Sequence, residues 1–275
     1  MWLKFFLGTG FILMLFLAFL VDRPRQRSLL GDRGQDRSRL LLMTWNLGYG
    51  DLESETRART EDLPAIAQTI LSHDPDAVTL QELTGEDQLK LLLAHLKDRY
   101  RGYACSFGSA DRVDAVLVRD RSARFDNVPA GDRFAAAATF HLHKDLPEIV
   151  LISAHADAFS SSRRRRFTED VVDWARSRTG NRSVFIAGDF NFEVSIKTRT
   201  NLFTDNAKHD SESYNYLLKY FRDLGRSAGE TSISDRRIDY VFGPLENATL
   251  RRAEVLRENA IGRMDHWPLL VEIAL

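Results

Sequence analysis

Residues 183–191, Ser183-Val184-Phe185-Ile186-Ala187-Gly188-Asp189-Phe190-Asn191, are a short apolar run that stops at a glycine and then delivers a carboxylate and an amide. A run of this length, bounded by a turn residue, reads as a buried strand. The same arrangement recurs along the chain. Upstream, the strand at residues 40–45 ends in Trp45-Asn46, that at 76–80 in Gln81-Glu82, and that at 149–153 in Ala154-His155. Downstream come Arg237-Ile238-Asp239-Tyr240-Val241 and Met264-Asp265-His266-Trp267-Pro268-Leu269. A single polar residue at a strand end is ordinarily a turn residue. Six such endings in one chain point to convergence on one rim. Carboxylates gathered without partners are costly to bury, and a bound cation is the simplest relief.

Between these strands lie helical patterns. Leu63, Ile66, Ala67, Ile70 and Leu71 mark one helix face, which Asp74-Pro75 ends. Leu89, Leu92, Leu93 and Leu96 mark a second, and Phe167, Val171, Trp174 and Ala175 a third. A fourth helix is expected over residues 213–221. Further strands are expected near Tyr103 and over 114–118, 135–142, 249–255 and 269–273. Strands outnumber helices and run consecutively in the middle of the chain. The pattern predicts an α/β fold: a four-layer α/β/β/α sandwich of two mixed β-sheets flanked by helices.

Residues 5–21, FFLGTGFILMLFLAFLV, carry no charge and are long enough for a short membrane span. No small-residue cleavage site or lipidation cysteine follows, so the segment reads as a single-span anchor, with a cleaved signal peptide and a secreted product as the alternative. Arginines after the span favour a cytoplasmic domain by the positive-inside rule, whereas an extreme amino-terminal anchor is also a way to hold an exported enzyme; the side of the membrane stays open. The organisation is therefore 1–21 anchor or signal segment, 22–38 arginine-rich linker and 39–275 catalytic domain. The 275 residues include 38 basic and 39 acidic residues, so any phosphate-binding surface must be local. The lone cysteine excludes an intrachain disulfide and a thiolate zinc cluster.

The motifs W-N, Q-E, S-A-H, G-D-F-N, R-I-D-Y and D-H-W-P, in this order from about Leu40 to Leu275, resemble those of the endonuclease/exonuclease/phosphatase superfamily, the deoxyribonuclease I-like enzymes. The resemblance implies the same four-layer sandwich. It also implies Glu82 as the principal metal carboxylate, with Asn46 and Asp265 contributing. All three are oxygen donors suited to Mg²⁺, with Mn²⁺ as a substitute. Asp189 and Asn191 would position the attacking water and a phosphate oxygen. His266 would lie beside the scissile phosphate, oriented by Asp239, and His155 would be the second active-site histidine. His155 needs a carboxylate partner of its own; Asp111 and Asp114 lie near the expected strand, and neither is preferred.

The implied activity is metal-dependent phosphoester hydrolysis, with Asp189 and His266 as candidate bases and His155 as candidate acid. The substrate expected first is nucleic acid, cleaved as a phosphodiester. A membrane-tethered phosphoinositide phosphatase or sphingomyelinase-like phospholipid hydrolase is the alternative, and an inactive phosphate-binding module a third reading. Arg163, Arg164, Arg165 and Arg166 stand where a loop becomes the third helix and are candidate substrate-phosphate ligands, against the alternative of a solvated helix start. No obligate protein partner is evident.

Overall fold

The structure, a computed structural model, describes residues 38–48, 60–106, 113–192, 194, 204–262 and 264–275. The expected anchor at 5–21 and the linker up to residue 37 lie outside them. Among the described residues no helix is long and apolar enough to cross a membrane.

Twelve strands form two sheets among the described residues. The first has the order β11-β12-β1-β2-β4-β3 and the second β5-β6-β7-β8-β10-β9. The strands are β1 Arg39–Asn46, β2 Ala77–Leu83, β3 Arg101–Ser106, β4 Val113–Val118, β5 Arg124–Ala130 and β6 Arg133–Phe140. They continue with β7 Ile149–His155, β8 Ser183–Asp189, β9 Phe221–Asp223, β10 Asp239–Pro244, β11 Thr249–Val255 and β12 Leu269–Ala274. Each sheet contains one parallel pair, β1 with β2 and β7 with β8, and is otherwise antiparallel. Parallel neighbours need a crossover. Helices α1 Leu63–His73 and α3 Ser161–Arg176 provide the two crossovers; α2 Glu86–His95 and α4 Ala207–Leu218 complete the outer layers.

Strand alternation creates three apolar layers. Leu41, Met43 and Trp45 of β1 face outward with Leu63, Ile66 and Ile70 of α1. Leu40 and Leu42 face inward, where they share a core with Val116, Val118, Leu151, Phe185 and Val271. On the far side, Val150, Ile152, Val184 and Ile186 pack with Phe167, Val171 and Leu217 of α3 and α4. The expected α/β/β/α sandwich is therefore the fold.

Two local expectations are corrected, and one strand carried none. The fourth helix spans Ala207–Leu218 and not 213–221. The Asn206 side chain caps it by accepting from the Lys208 and His209 N–H groups, and Phe221 belongs to β9. Strand β5 went unread because it is an edge strand, largely exposed and interrupted by Pro129. The strand expected at 135–142 is β6, which ends at Phe140.

Candidate active site

The polar strand ends continue the inward-facing parity of the middle layer. Leu40 and Leu42 point between the sheets, and so does Asn46 at the end of β1. On β8, Phe185 and Ala187 face inward and are followed by Asp189; on β7, Leu151 is followed by Ser153 and His155; on β10, Asp239 precedes Val241. Where the apolar filling stops, these side chains line the open end of the sandwich. Glu82 reaches it differently. The β2–β4 register shifts between Leu80 and Leu83, and Glu82 has φ 61°, in the left-handed region. Such a backbone costs a non-glycine residue about 1–3 kcal/mol and marks a place where structure serves a site. Asn191 shares this conformation at φ 53°. Next to Asp189, Gly188 has φ 150°, and a Cβ there would lie 1.8 Å from the Ala154 carbonyl oxygen, so only glycine lets β7 and β8 approach this closely.

Asp189 is the hub. It is paired in register with His155 on β7 and with Asp239 on β10. Its Oδ2 accepts from Asn46 Nδ2 at 3.0 Å and lies 3.9 Å from His155 Nε2 and 3.8 Å from His266 Nε2. Its Oδ1 accepts from the Asn191 N–H at 2.8 Å. Asn46 Nδ2 also donates to Glu82 Oε1 at 3.2 Å, and Glu82 Oε1 is 3.6 Å from His155 Nε2. Asn191 Nδ2 donates to the Ala156 carbonyl at 3.1 Å. Asp265 Oδ1 stands 4.0 Å from His266 Nε2. The structure thus brings together Asn46, Glu82, His155, Asp189, Asn191, Asp239, Asp265 and His266.

Each histidine is backed by a buried carboxylate. His266 Nδ1 is 2.7 Å from Asp239 Oδ2, and His155 Nδ1 is 3.2 Å from Asp114 Oδ1. Of the two candidates for the His155 partner, Asp114 fills the role; Asp111 lies outside the described residues. A parity signal was available in the sequence, because Asp114 shares the inward face of β4 with Val116 and Val118. Thr231 was not foreseen. Its Oγ1 accepts from the Ile238 and Asp239 N–H groups at 3.2 and 3.1 Å and so fixes the start of β10.

Burial alone would lower the pKa of both imidazoles, but the carboxylates reverse the effect. Asp114, with Glu82 and Asp189, pushes His155 up to about 9. Asp239, with Asp189 and Asp265, pushes His266 up to about 10. Both rings are imidazolium at neutral pH, so each Nδ1–H donates to its aspartate and each Nε2–H faces the mouth. The carboxyl groups feel the opposite pressure. Burial, followed by the charges of Glu82 and Asp189, pushes Asp265 up to about 6 despite His266. Burial also raises Asp189, and so does Asp239.

Five carboxylates (Glu82, Asp114, Asp189, Asp239 and Asp265) therefore surround two imidazolium rings, and among the described residues no lysine or arginine pairs with any of them. The excess negative charge fits a cation. Asp189, Asp239 and His266 each offer a ligand atom, all within 4.8 Å of one another. Because Asp239 already holds His266 Nδ1, the hard oxygen donors left for an ion lie towards Glu82, Asp189 and Asp265.

The arginine tetrad is corrected at Arg164. Arg164 is fully buried and is a structural clamp: Nε and Nη2 pair with Asp210 at 2.8 and 3.1 Å, and Nη1 donates to the Asp157 and Ala158 carbonyls. Arg165 pairs with Glu169 and Glu212. The aliphatic part of Arg166 lies near Gly131. Arg163 and Arg166 are exposed, and the Arg163 guanidinium lies 3.6 Å from Asp157.

No curated protein matches the sequence significantly. Among solved structures, the fold is similar to that of an endonuclease/exonuclease/phosphatase from Bacteroides vulgatus, with TM-score 0.66 and 16% identity over 86% of this chain and 99% of that one. It is likewise similar to the human Nocturnin catalytic domain with bound sulfate anion, with TM-score 0.64 and 19% identity over 86% and 95%. A Bacteroides thetaiotaomicron mannosyl-6-phosphatase gives TM-score 0.63 and 20% identity over 86% and 100%. At these identities the likeness shows the fold. A profile of the Endonuclease/Exonuclease/phosphatase family matches residues 43–262, which contain every residue of the site except Asp265 and His266. Those two follow the matched region directly and close the same cleft, so motif order, fold and site geometry agree: the chain belongs to the Endonuclease/Exonuclease/phosphatase family, whose members hydrolyse phosphoesters.

Proposed function

We propose that this protein is a divalent-metal-dependent phosphodiesterase acting on nucleic acid. The observation that carries the hydrolytic part is the convergence of two carboxylate-backed imidazolium rings and Asn46 on one oxygen of Asp189. A phosphoryl group in this cleft meets two N–H donors, His155 Nε2 and His266 Nε2, aimed where charge builds during attack. Such preorganised donors favour the transition state over the ground state. Asp189 is the acceptor placed to orient a water and take its proton, and Asn191 holds the turn that carries it. His155, which faces Glu82, is the donor placed to protonate a leaving oxygen. Glu82 and Asp265, with Asn46 beside them, would hold Mg²⁺ or Mn²⁺, which when bound neutralises phosphoryl charge as a Lewis acid.

A second reading has a feature of its own in its favour. The uncharged run at residues 5–21 would keep a tethered enzyme near phosphoinositide or sphingomyelin headgroups. The test is a hydrolysis panel on the full chain with Mg²⁺ or with chelator, using DNA, RNA, phosphoinositide and sphingomyelin, and with His266→Ala as control. Nucleic-acid cleavage that needs metal and falls in the variant through kcat supports the proposal. Turnover of lipid headgroups alone replaces it with the second reading. A folded protein silent on every substrate contradicts hydrolysis of these esters and points to a binding module.

A further inference from the structure

Two exposed phenylalanines, Phe134 and Phe159, lie on the segments that adjoin His155. The β6–β7 register ends with Ala136 opposite Ser153, and two residues further on each strand are Phe134 and His155. Phe134 shares the inward parity of Ala136 and Ala138, yet it lies beyond the core and is 42% exposed. Its carbonyl accepts from Cys105, the register partner of Asp114, so it adjoins the pair that holds His155. Phe159 lies on the loop that leaves His155 and is 84% exposed.

That exposure is built into the loop. Asp157 Oδ1 accepts from the Phe159 and Ser160 N–H groups at 2.9 and 2.8 Å. Arg164 grips the Asp157 and Ala158 carbonyls, and Ser160 caps α3. Asp157 Oδ2 also accepts from Arg133, the neighbour of Phe134 in sequence, at 2.6 Å. One carboxylate therefore ties both phenyl positions together, with Arg133 and Arg163 beside them. A hydrogen-bonded loop that holds an exposed phenylalanine next to a catalytic mouth, two residues from the carboxylate on which Arg133 and Arg163 converge, has the composition of a stacking platform for the bases of a charged strand.

We infer that Phe134 and Phe159 stack nucleobases flanking the scissile phosphate, which makes unpaired nucleic acid the preferred substrate. The inference rests on the nucleic-acid reading of the site. Stacking needs a free base face, which a duplex does not offer, and guanidinium groups complement the backbone charge.

The test compares the full-length protein with Phe134→Ala, Phe159→Ala and Phe159→Trp. The substrates are a single-stranded DNA 12-mer, its duplex and a 12-mer of tetrahydrofuran abasic residues; phosphoinositide vesicles form a separate binding arm. The expected result is that wild type prefers the single strand. Each alanine variant should lose about 5- to 150-fold in kcat/KM on that strand, through KM. Cleavage of the abasic strand should stay within twofold, and Phe159→Trp should restore the preference. A purely structural role would lower cleavage of the abasic strand equally, which contradicts the inference. Unchanged discrimination in the alanine variants overturns it and leaves the nuclease reading standing. Loss of vesicle binding alone overturns it in favour of a membrane contact. If no strand is cleaved while a lipid headgroup is hydrolysed, the nuclease reading and this inference fail together.

Discussion

His155 and His266 approach the same oxygen of Asp189, at 3.9 and 3.8 Å, but their aspartates hold them unequally: Asp239 at 2.7 Å and Asp114 at 3.2 Å. The tighter pair is pinned at both ends. Thr231 fixes the backbone of Asp239, and Trp45 Nε1 donates to the His266 carbonyl. His155 is shared: its Nε2 also looks towards Glu82, on the side where the oxygen donors gather. The comparison separates the roles. Under the proposed mechanism, His266 serves as a fixed positive charge, whereas His155, which faces Glu82, is better placed to give up a proton.

The largest effect should come from breaking the tight pair. Asp239→Asn is expected to lower kcat about 10²- to 10⁴-fold with KM little changed, because it removes the charge that keeps His266 protonated and oriented. Asp114→Asn should cost about tenfold less. Steady-state kinetics of the two variants on one substrate checks the ranking, and equal losses would erase the distinction drawn between the pairs.

A smaller effect concerns the ion. Asp265, pushed up to about 6, is largely protonated at pH 5 and ionised at pH 8. Added Mg²⁺ or Mn²⁺ should therefore raise Tm more at pH 8 than at pH 5. An identical rise at both values would place the ion away from Asp265.

The smallest effect is on the stability of the metal-free protein. Both imidazoles have folded pKa values above their ordinary 6.5, so their contribution is complete below pH 6.5 and is lost as pH rises through about 9 for His155 and about 10 for His266. The urea midpoint should fall between pH 6.5 and 10, and by a smaller amount in Asp114→Asn. A midpoint rising over this window would contradict the protonation assigned to both rings.

Much of this site was legible because strand periodicity and motif order carry the same information. An apolar run of fixed parity that ends in Asn46, His155 or Asp189 announces both the layer and its open end. Asp239 was legible through R-I-D-Y. Asp114 was half legible, since no motif marks it and only its parity with Val116 and Val118 singles it out. Arg164 misled because four like charges in a row read as a surface. The period of α3 sets Arg164 on the face shared with Thr168, Val171 and Ala175, and Asp210 waits there in the folded chain. Strand β5 had no pattern to read, because an exposed edge strand has little apolar alternation.

The central claim is that two carboxylate-held imidazolium rings flank Asp189. It is tested most directly by ¹⁵N NMR titration of the histidine side chains in the metal-free, full-length protein, with His155→Gln and His266→Gln to assign the two rings among the seven histidines. The account predicts that these two remain protonated at pH 8 and release their protons near 9 and near 10, His155 first. Titration of both rings near 6.5 would contradict it.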